Sequence, residues 1–320
     1  MQENIPMKLS LFDSHCDTAY ELYRRGVSLS DNENCHISIE KAACYHQYAQ
    51  FYAVWSDRRL DDEACWEQFL RIAANFNAEV ESSDRVAQVN SSAELDAALS
   101  AGKHAAILAV EDARLSAGKL DRLDLMKTMG VKYLTLLWGG DTCIGGSHNT
   151  NNGLTPFGKS LVRRCFDLGI IPDVSHASEE SVDDLIPIAC EYGKPFIASH
   201  SNAYGLFGHT RNLRDRHFAV IKELGGIVGI SLCPDHLTDT SLRPATAEDV
   251  FAHVDYYLSI GGEDVIGFGA DWDGTDLPAD ISGVQDMTKV AEIMAKHNYS
   301  EALIHKIYWK NFYDFAMRNL

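Results

Sequence analysis

The chain has 320 residues, 46% of them hydrophobic and 23% charged, which is a globular composition with length enough for a large buried core. A formal net charge of -18 and a pI of about 5.0 argue against nucleic acid and anionic membrane surfaces as partners. No apolar run approaches the roughly 18 residues needed to span a bilayer. Met1–Met7 lacks the apolar segment of a secretory signal, and Phe315–Leu320 carries no hydrophobic tail for a lipid anchor. The eight cysteines are scattered with no C-x-x-C pair, as expected for free thiols in a reducing compartment, and a cytoplasmic location follows as the expectation.

Short apolar runs alternate with longer helical patterns. Leu9–Asp13 is the first strand candidate and leads into Asp13-Ser14-His15-Cys16-Asp17. His15 and Asp17 lie two apart, so at an extended strand end they face the same way, while Cys16 faces the other way as a packed thiol. Taken alone, a His-x-Asp serves equally as a strand cap followed by a turn. Asp31–His46 reads as an irregular insertion. Tyr48–Val54 is a second strand, and Asp61–Ser82 has helical spacing. His104–Val110 is a third strand, ending at Glu111. Leu120–Met129 is a helix stopped by Gly130, and Val131–Leu137 is a fourth strand, followed by the polar, glycine-rich loop Gly139–Gly153.

Thr155 and Pro156 start a helix that Gly169 ends. Ile170–Ser175 is a fifth strand, ending at His176, and Ser178 caps a helix running to Cys190. Pro195–Ser199 is a sixth strand, ending at His200. Gly226–Leu232 is a seventh, Ala247–Ile260 a helix, and Val265–Ala270 an eighth strand, ending at Asp271. Helices over Val284–Lys296 and Ser300–Arg318 close the chain. About eight alternating units predict an α/β fold, a single (β/α)₈ TIM-type barrel over residues 1–320 with no second domain.

The residues with metal chemistry fall at the ends of these runs: His15 and Asp17, Glu111, His176, His200 and Asp271. In a barrel, strand ends remote in sequence meet around one mouth. Three His, two Asp and one Glu suffice for two divalent ions with a bridging carboxylate. This N/O set without thiolate suits zinc and tolerates manganese, cobalt or iron. Glu111 could instead cap a turn, and His176 and His200 could be satisfied core histidines; their shared placement favours ligands. His209, His217, His236, His253 and His297 lack such placement and read as surface or helix residues.

These motifs resemble those of the membrane (renal) dipeptidase family of the metal-dependent amidohydrolase superfamily. DSHCDT at 13–18 is similar to the family's D-G-H-x-D opening, and Val131–Leu136 to its fourth-strand segment. DVSHAS at 173–178, ASHSNAYG at 198–205 with HTRNL at 209–213, and GFGADWDG at 267–274 resemble further family blocks, in order, over nearly the whole chain. The resemblance implies two zinc ions per subunit, one on His15 and Asp17, the other on His176 and His200, with Glu111 bridging. It implies Asp271 as the proton-handling residue and Arg211 as the receiver of the substrate carboxylate, for which an arginine fork is geometrically suited. It further implies hydrolysis of dipeptides, L-L or with a D-residue second, by a metal-bridging hydroxide, with a dipeptide as the only small partner, and a homodimer. The loops 139–153 and 31–46 would form the side-chain pockets.

One position departs from the family. Its fourth strand often ends in a histidine near the scissile carbonyl, where this chain has Leu136-Leu137-Trp138. Trp138 has an N–H donor but cannot take a proton, and His148 follows in the loop. The departure keeps open another binuclear hydrolase, an N-acyl-amino-acid deacylase or a lactonase, on the same scaffold. A barrel without catalysis, binding only a ligand, is the reading from a different class. No G-x-S-x-G elbow supports a serine hydrolase.

Overall fold

Eight strands carry the architecture: β1 (Leu11–Cys16), β2 (Tyr48–Val54), β3 (Val86–Gln88), β4 (His104–Glu111), β5 (Tyr133–Thr135), β6 (Ile171–Asp173), β7 (Val228–Ile230) and β8 (Ile266–Phe268). The computed structural model describes residues 9–320, so the Met1–Met7 stretch read for a signal lies outside the described residues. All strand pairs are parallel. Their order is β6-β5-β4-β2-β1-β8-β7, with β3 added to β4 off this path.

The expected closed eight-stranded barrel is not what forms. The sheet is a curled, open half-barrel of seven parallel strands in one path. The predicted sixth strand, Pro195–Ser199, makes no ladder, only single bridges from Ile197 to Asp173 and from Ala198 to Val228. The cause is local. Pro195 has no N–H to donate. Beyond the bridges, side chains take the backbone donors: the Ser199 N–H goes to Asp173 Oδ1 (2.8 Å) and the His200 N–H to Ser175 Oγ (3.0 Å). The eighth strand is instead β3, three residues too short to leave a periodic signal.

Alternation along the long strands sorts the core into two faces. Ala49, Phe51 and Ala53 of β2 and Ala105, Ile107 and Ala109 of β4 share the inner cluster with Phe12 and Tyr133. Tyr48, Tyr52, Val54, Ala106, Leu108 and Val110 face the surrounding helices. Most of the predicted helices form, at Asp62–Glu81, Asp121–Thr128, Pro156–Leu168, Glu179–Tyr192 and Ala247–Ser259. Asp61, Thr155 and Ser178 cap three of them by accepting the N–H groups of Ala64, Gly158 and Ser181. The C-terminal helix is broken by a π turn at Lys306–Lys310. That turn brings Trp309 and Phe312 to within 6 Å, centroid to centroid, of the Phe12 ring (5.7 and 5.9 Å), and so plugs the inner cluster. Among the described residues no helix is long and apolar enough to cross a membrane. Cys16 packs into the core as expected.

Candidate metal centre and active site

Glu111 is aimed by the strand that carries it. It continues the inward series 105, 107, 109 of β4, so its carboxylate enters the mouth at the C-terminal edge of the sheet. β1 needs a correction to do the same. Strict alternation from the inward Phe12 would turn His15 outward, but the pairing with β2 slips between Asp13 and Cys16 and re-aims it. His176 (φ 68°), Asp271 (φ 63°) and Asp273 (φ 66°) sit in the left-handed region that L-residues rarely adopt. Gly274 is required where it stands, because a Cβ there would collide with Asp17 Oδ2 and Asp271 Oδ1.

The six residues expected to meet do so. Among the described residues, three sets have potential ligand atoms within 4.8 Å of one another: His15, Asp17 and Glu111; Glu111, His176 and His200; and His15, His200 and Asp271. Glu111 belongs to two sets and faces both. Its Oε1 lies 3.0 Å from His176 Nε2 and 3.4 Å from His200 Nε2, and its Oε2 lies 3.7 Å from His15 Nε2.

Hydrogen bonds around the site settle which nitrogen of each histidine is available. Tyr133 donates its hydroxyl to the Ser14 carbonyl (2.9 Å), so the contact with His15 Nδ1 (2.8 Å) has the imidazole as donor. Ser199 donates to Asp173 Oδ2 (2.6 Å), so it accepts from His200 Nδ1 (2.7 Å). His176 Nδ1 meets the Trp138 carbonyl at 2.9 Å, which can only accept. All three rings therefore spend Nδ1–H on the protein and turn Nε2 toward Glu111, the arrangement that metal-ligating histidines use. His15 Nε2, His200 Nε2 and Asp17 Oδ1 are buried with no hydrogen-bond partner.

Electrostatics call for a cation at this point. Burial drives the His176 and His200 rings far down, helped by Arg211 and by the neighbouring histidines, which favours the neutral rings that could ligate a metal. Burial, and then the charge of Glu111, drives the Asp17 carboxyl up, and burial raises Glu111 as well. For His15 the burial penalty is outweighed by Glu111, Asp17 and Asp271, which push it up to about 10. A neutral imidazole lone pair 3.0 Å from a carboxylate oxygen is repulsive unless a positive charge sits between them. The clustered His, Asp and Glu residues are thus able to bind divalent metal.

Arg211 lies beside this cluster, 5% exposed, with its Nε and Nη1 buried and unpartnered. Its Nη2 lies 3.5 Å from the His200 carbonyl. A buried guanidinium fork left open is costly unless an anion completes it. Trp138 reaches the site in two ways. Its carbonyl orients His176, and its ring forms part of the wall of a cavity of about 240 Å³ shared with Asp17 and Glu111. Neither the 31–46 insertion nor the 139–153 loop lines that cavity, so the expected source of the pocket walls is corrected. The insertion acts from behind: His36 N–H donates to Asp273 Oδ1 (2.6 Å) and the Asp273 N–H to His36 Nδ1 (2.9 Å).

Several residues here could not be placed from the sequence. His148 is brought against the site, its backbone N–H bonded to the His176 carbonyl (2.7 Å) and its ring edge-on to His176 at 5.6 Å. Its Nδ1 is buried without a partner, and burial and the Arg211 charge hold its pKa down at about 4. His209 and His236 stack at 4.8 Å beside Arg211, whose N–H bonds His209 Nδ1. Asp173 accepts from Thr135, Ser175 and Ser199 and so ties three strand ends together. The only hint of it was a run of small polar residues ending otherwise apolar strands.

His253, buried on the helix Ala247–Ser259, anchors the loop after His200. Its Nδ1 accepts the Ala203 N–H (3.1 Å) and its Nε2 donates to the Leu237 carbonyl (3.1 Å). Burial lowers its pKa from 6.5 to about 4. A depressed histidine stabilises the fold above the unfolded value, and that contribution is lost as pH falls from 6.5 through about 4. The loss should reach on the order of 3 kcal/mol at the acid end. Urea melts at pH 7 and pH 4.5 should show it, and His253→Gln should reduce the difference; an equal difference in the variant would exclude His253 as a source.

Residues 1–315 match the profile of the membrane dipeptidase family, peptidase family M19. The chain belongs to that family. It is 30% identical over 217 residues to the dipeptidase tcpJ of Claviceps purpurea, covering 67% of this chain and 50% of that protein. The chain spans about half the length of the curated relatives it matches, from 47% to 61%. Among solved structures it is similar to a metallopeptidase from Rhodobacter sphaeroides liganded with a phosphinate mimic of the dipeptide L-Ala-D-Ala. That likeness has TM-score 0.90 and 25% identity, over 98% of this chain and 100% of that one. It is equally similar to the metallopeptidase called dipeptidase AC, with TM-score 0.90 and 26% identity over 98% and 99% of the two chains.

Proposed function

We propose that this chain is a metal-dependent dipeptidase. In this reading His15, Asp17 and Glu111 hold one divalent ion, and Glu111, His176 and His200 hold the other. Zinc is the preferred ion, because the donors are imidazole and carboxylate with no thiolate. The observation that carries the reading is the convergence of three histidine Nε2 atoms on one shared, buried carboxylate, beside an arginine whose fork lacks a partner. When bound, a pair of such ions supplies an acidified water and a Lewis acid for a carbonyl.

The chain's own residues do the rest. Arg211 receives the substrate's terminal carboxylate through its open Nε and Nη1, which limits the substrate to a short peptide. Asp271, with Oδ1 3.8 Å from His15 Nε2, takes the proton of the attacking water and carries it to the leaving amine. Tyr133, Ser199 and the Trp138 carbonyl hold the imidazoles in the ligating tautomer. His148, edge-on to His176, offers an imidazole beside the cluster and in this reading takes the part of the family histidine that Trp138 replaces. The relative liganded with a dipeptide mimic supports the same substrate class for this chain.

The test is hydrolysis of L-L and L-D dipeptides beside N-acetyl amino acids, with zinc-loaded and chelated protein. Dipeptide cleavage that disappears on chelation and returns with zinc is expected. Turnover of the acylated substrates alone would move the function to deacylation.

A further inference from the structure

The cavity beside the cluster is walled by three aromatic side chains, Tyr20, Trp55 and Trp138, and by the carboxylates of Asp17, Glu21, Glu111 and Asp273. Tyr20, on the helix that follows Asp17, meets Trp55 edge-on with ring centroids 5.1 Å apart and planes at 88°. Trp55, the residue after β2, meets Trp138 at 5.4 Å and 58°. All three are only half-buried. The Trp55 indole N–H is buried without an acceptor. Trp138 is held in place from outside: the Arg58 guanidinium lies 5.0 Å from its ring centroid and donates to the Gly139 carbonyl (2.9 Å).

Of the four acidic members of the wall, Asp17 and Glu111 belong to the cluster and the other two are engaged by the protein. Glu21 accepts from Arg24 and Arg25, and Asp273 from Thr18 and the His36 N–H. The wall therefore offers flat apolar faces beside carboxylates that disfavour a further negative charge.

The position of this box relative to Arg211 gives it a role, one that rests on the dipeptidase reading above. The cavity touches the cluster at Asp17 and Glu111, whereas Arg211 approaches from the His200 side and lines a different cavity. A dipeptide with its carboxylate on Arg211 and its peptide bond over the cluster must put its N-terminal residue on the Asp17 side. We propose that Tyr20, Trp55 and Trp138 seat the N-terminal side chain and select dipeptides that begin with a large aromatic residue, rejecting those that begin with Asp or Glu. Covering a phenyl ring on these faces should favour Phe over Ala by roughly ten- to a hundredfold in kcat/KM.

The experiment is kcat/KM of the zinc-loaded protein for Phe-Gly, Ala-Gly and Glu-Gly, repeated with Trp55→Ala and Trp55→Phe. The Phe-Gly to Ala-Gly ratio is read because it does not depend on the fraction of protein that folds. The wild type should prefer Phe-Gly at least tenfold and turn over Glu-Gly most slowly. Trp55→Ala should collapse the ratio toward one, and Trp55→Phe should keep most of it. A wild-type ratio near one, or a ratio unmoved by Trp55→Ala, would overturn the assignment while leaving the dipeptidase reading intact. Cleavage of none of the three would overturn that reading, and the pocket assignment with it.

Discussion

Asp271→Asn should cut kcat by roughly 10²- to 10⁴-fold, the usual contribution of a positioned acid–base group, with metal content unchanged. The substitution isolates the proton chemistry because little else changes. Asp271 sits at φ 63°, a conformation that Asn tolerates almost as well as Asp and that Ala does not. Its backbone N–H bond to the His15 carbonyl (3.2 Å) is untouched. The amide keeps the size of the side chain next to Gly274, where the packing leaves no room for a Cβ. What it loses is the ability to take a proton within 3.8 Å of His15 Nε2. Steady-state kinetics beside metal analysis of the same preparation checks the prediction. Full activity in a fully loaded variant would remove Asp271 from the proton path. Loss of metal together with activity would make it a ligand instead, in line with its place in the third cluster, with His15 and His200.

Glu111→Gln should have the larger effect on metal. The carboxylate offers Oε1 to His176 and His200 and Oε2 to His15, so it serves both sides at once. A glutamine has one oxygen; its NH₂ is a donor and cannot ligate. Metal bound per chain should fall from two to one or fewer, and turnover should drop by about 10³-fold or more, because both the acidified water and the Lewis acid depend on the pair. A thermal readout separates this from misfolding. Binding stabilises the native state by about 2.7 kcal/mol per site at a hundredfold excess over Kd. The wild-type Tm should therefore rise on zinc addition, and that rise should shrink or vanish in Glu111→Gln. A variant that keeps two ions and the full Tm rise would show that Glu111 does not bridge.

Both predictions rest on residues that were visible in the sequence, and the reason is chemical. A carboxylate or imidazole at the end of an apolar strand is conspicuous because burying it is costly without a partner. His15, Asp17, Glu111, His176, His200 and Asp271 could each be picked out on that ground, and the structure brings all six together. What supports them was not visible. Tyr133, Asp173 and Ser199 look like ordinary strand residues, and only the packing of neighbouring strand ends turns them into the groups that set the histidine tautomers. His148 comes from a loop without periodicity, and its place depends on its N–H donating to the His176 carbonyl and on the Gly146 carbonyl accepting from the Ser178 N–H and the Ser181 hydroxyl.

The same division holds for the fold. Alternating strands and capped helices are local properties, set by side-chain period and by residues such as Asp61, Thr155 and Ser178, so the parallel α/β class was determined by the sequence alone. Whether the sheet closes is a matter of long-range hydrogen bonding. Pro195–Ser199 has the composition of a strand, but Asp173 and Ser175 claim the Ser199 and His200 N–H groups, and the sheet stays an open seven-strand path. Tertiary structure alone also decided that Tyr20, Trp55 and Trp138, from three separate segments, stand ring against ring beside the cluster. Only Trp138 stood out in its own stretch, as the departure from the family's histidine, and contact between side chains so far apart along the chain exists only once the strand ends have met.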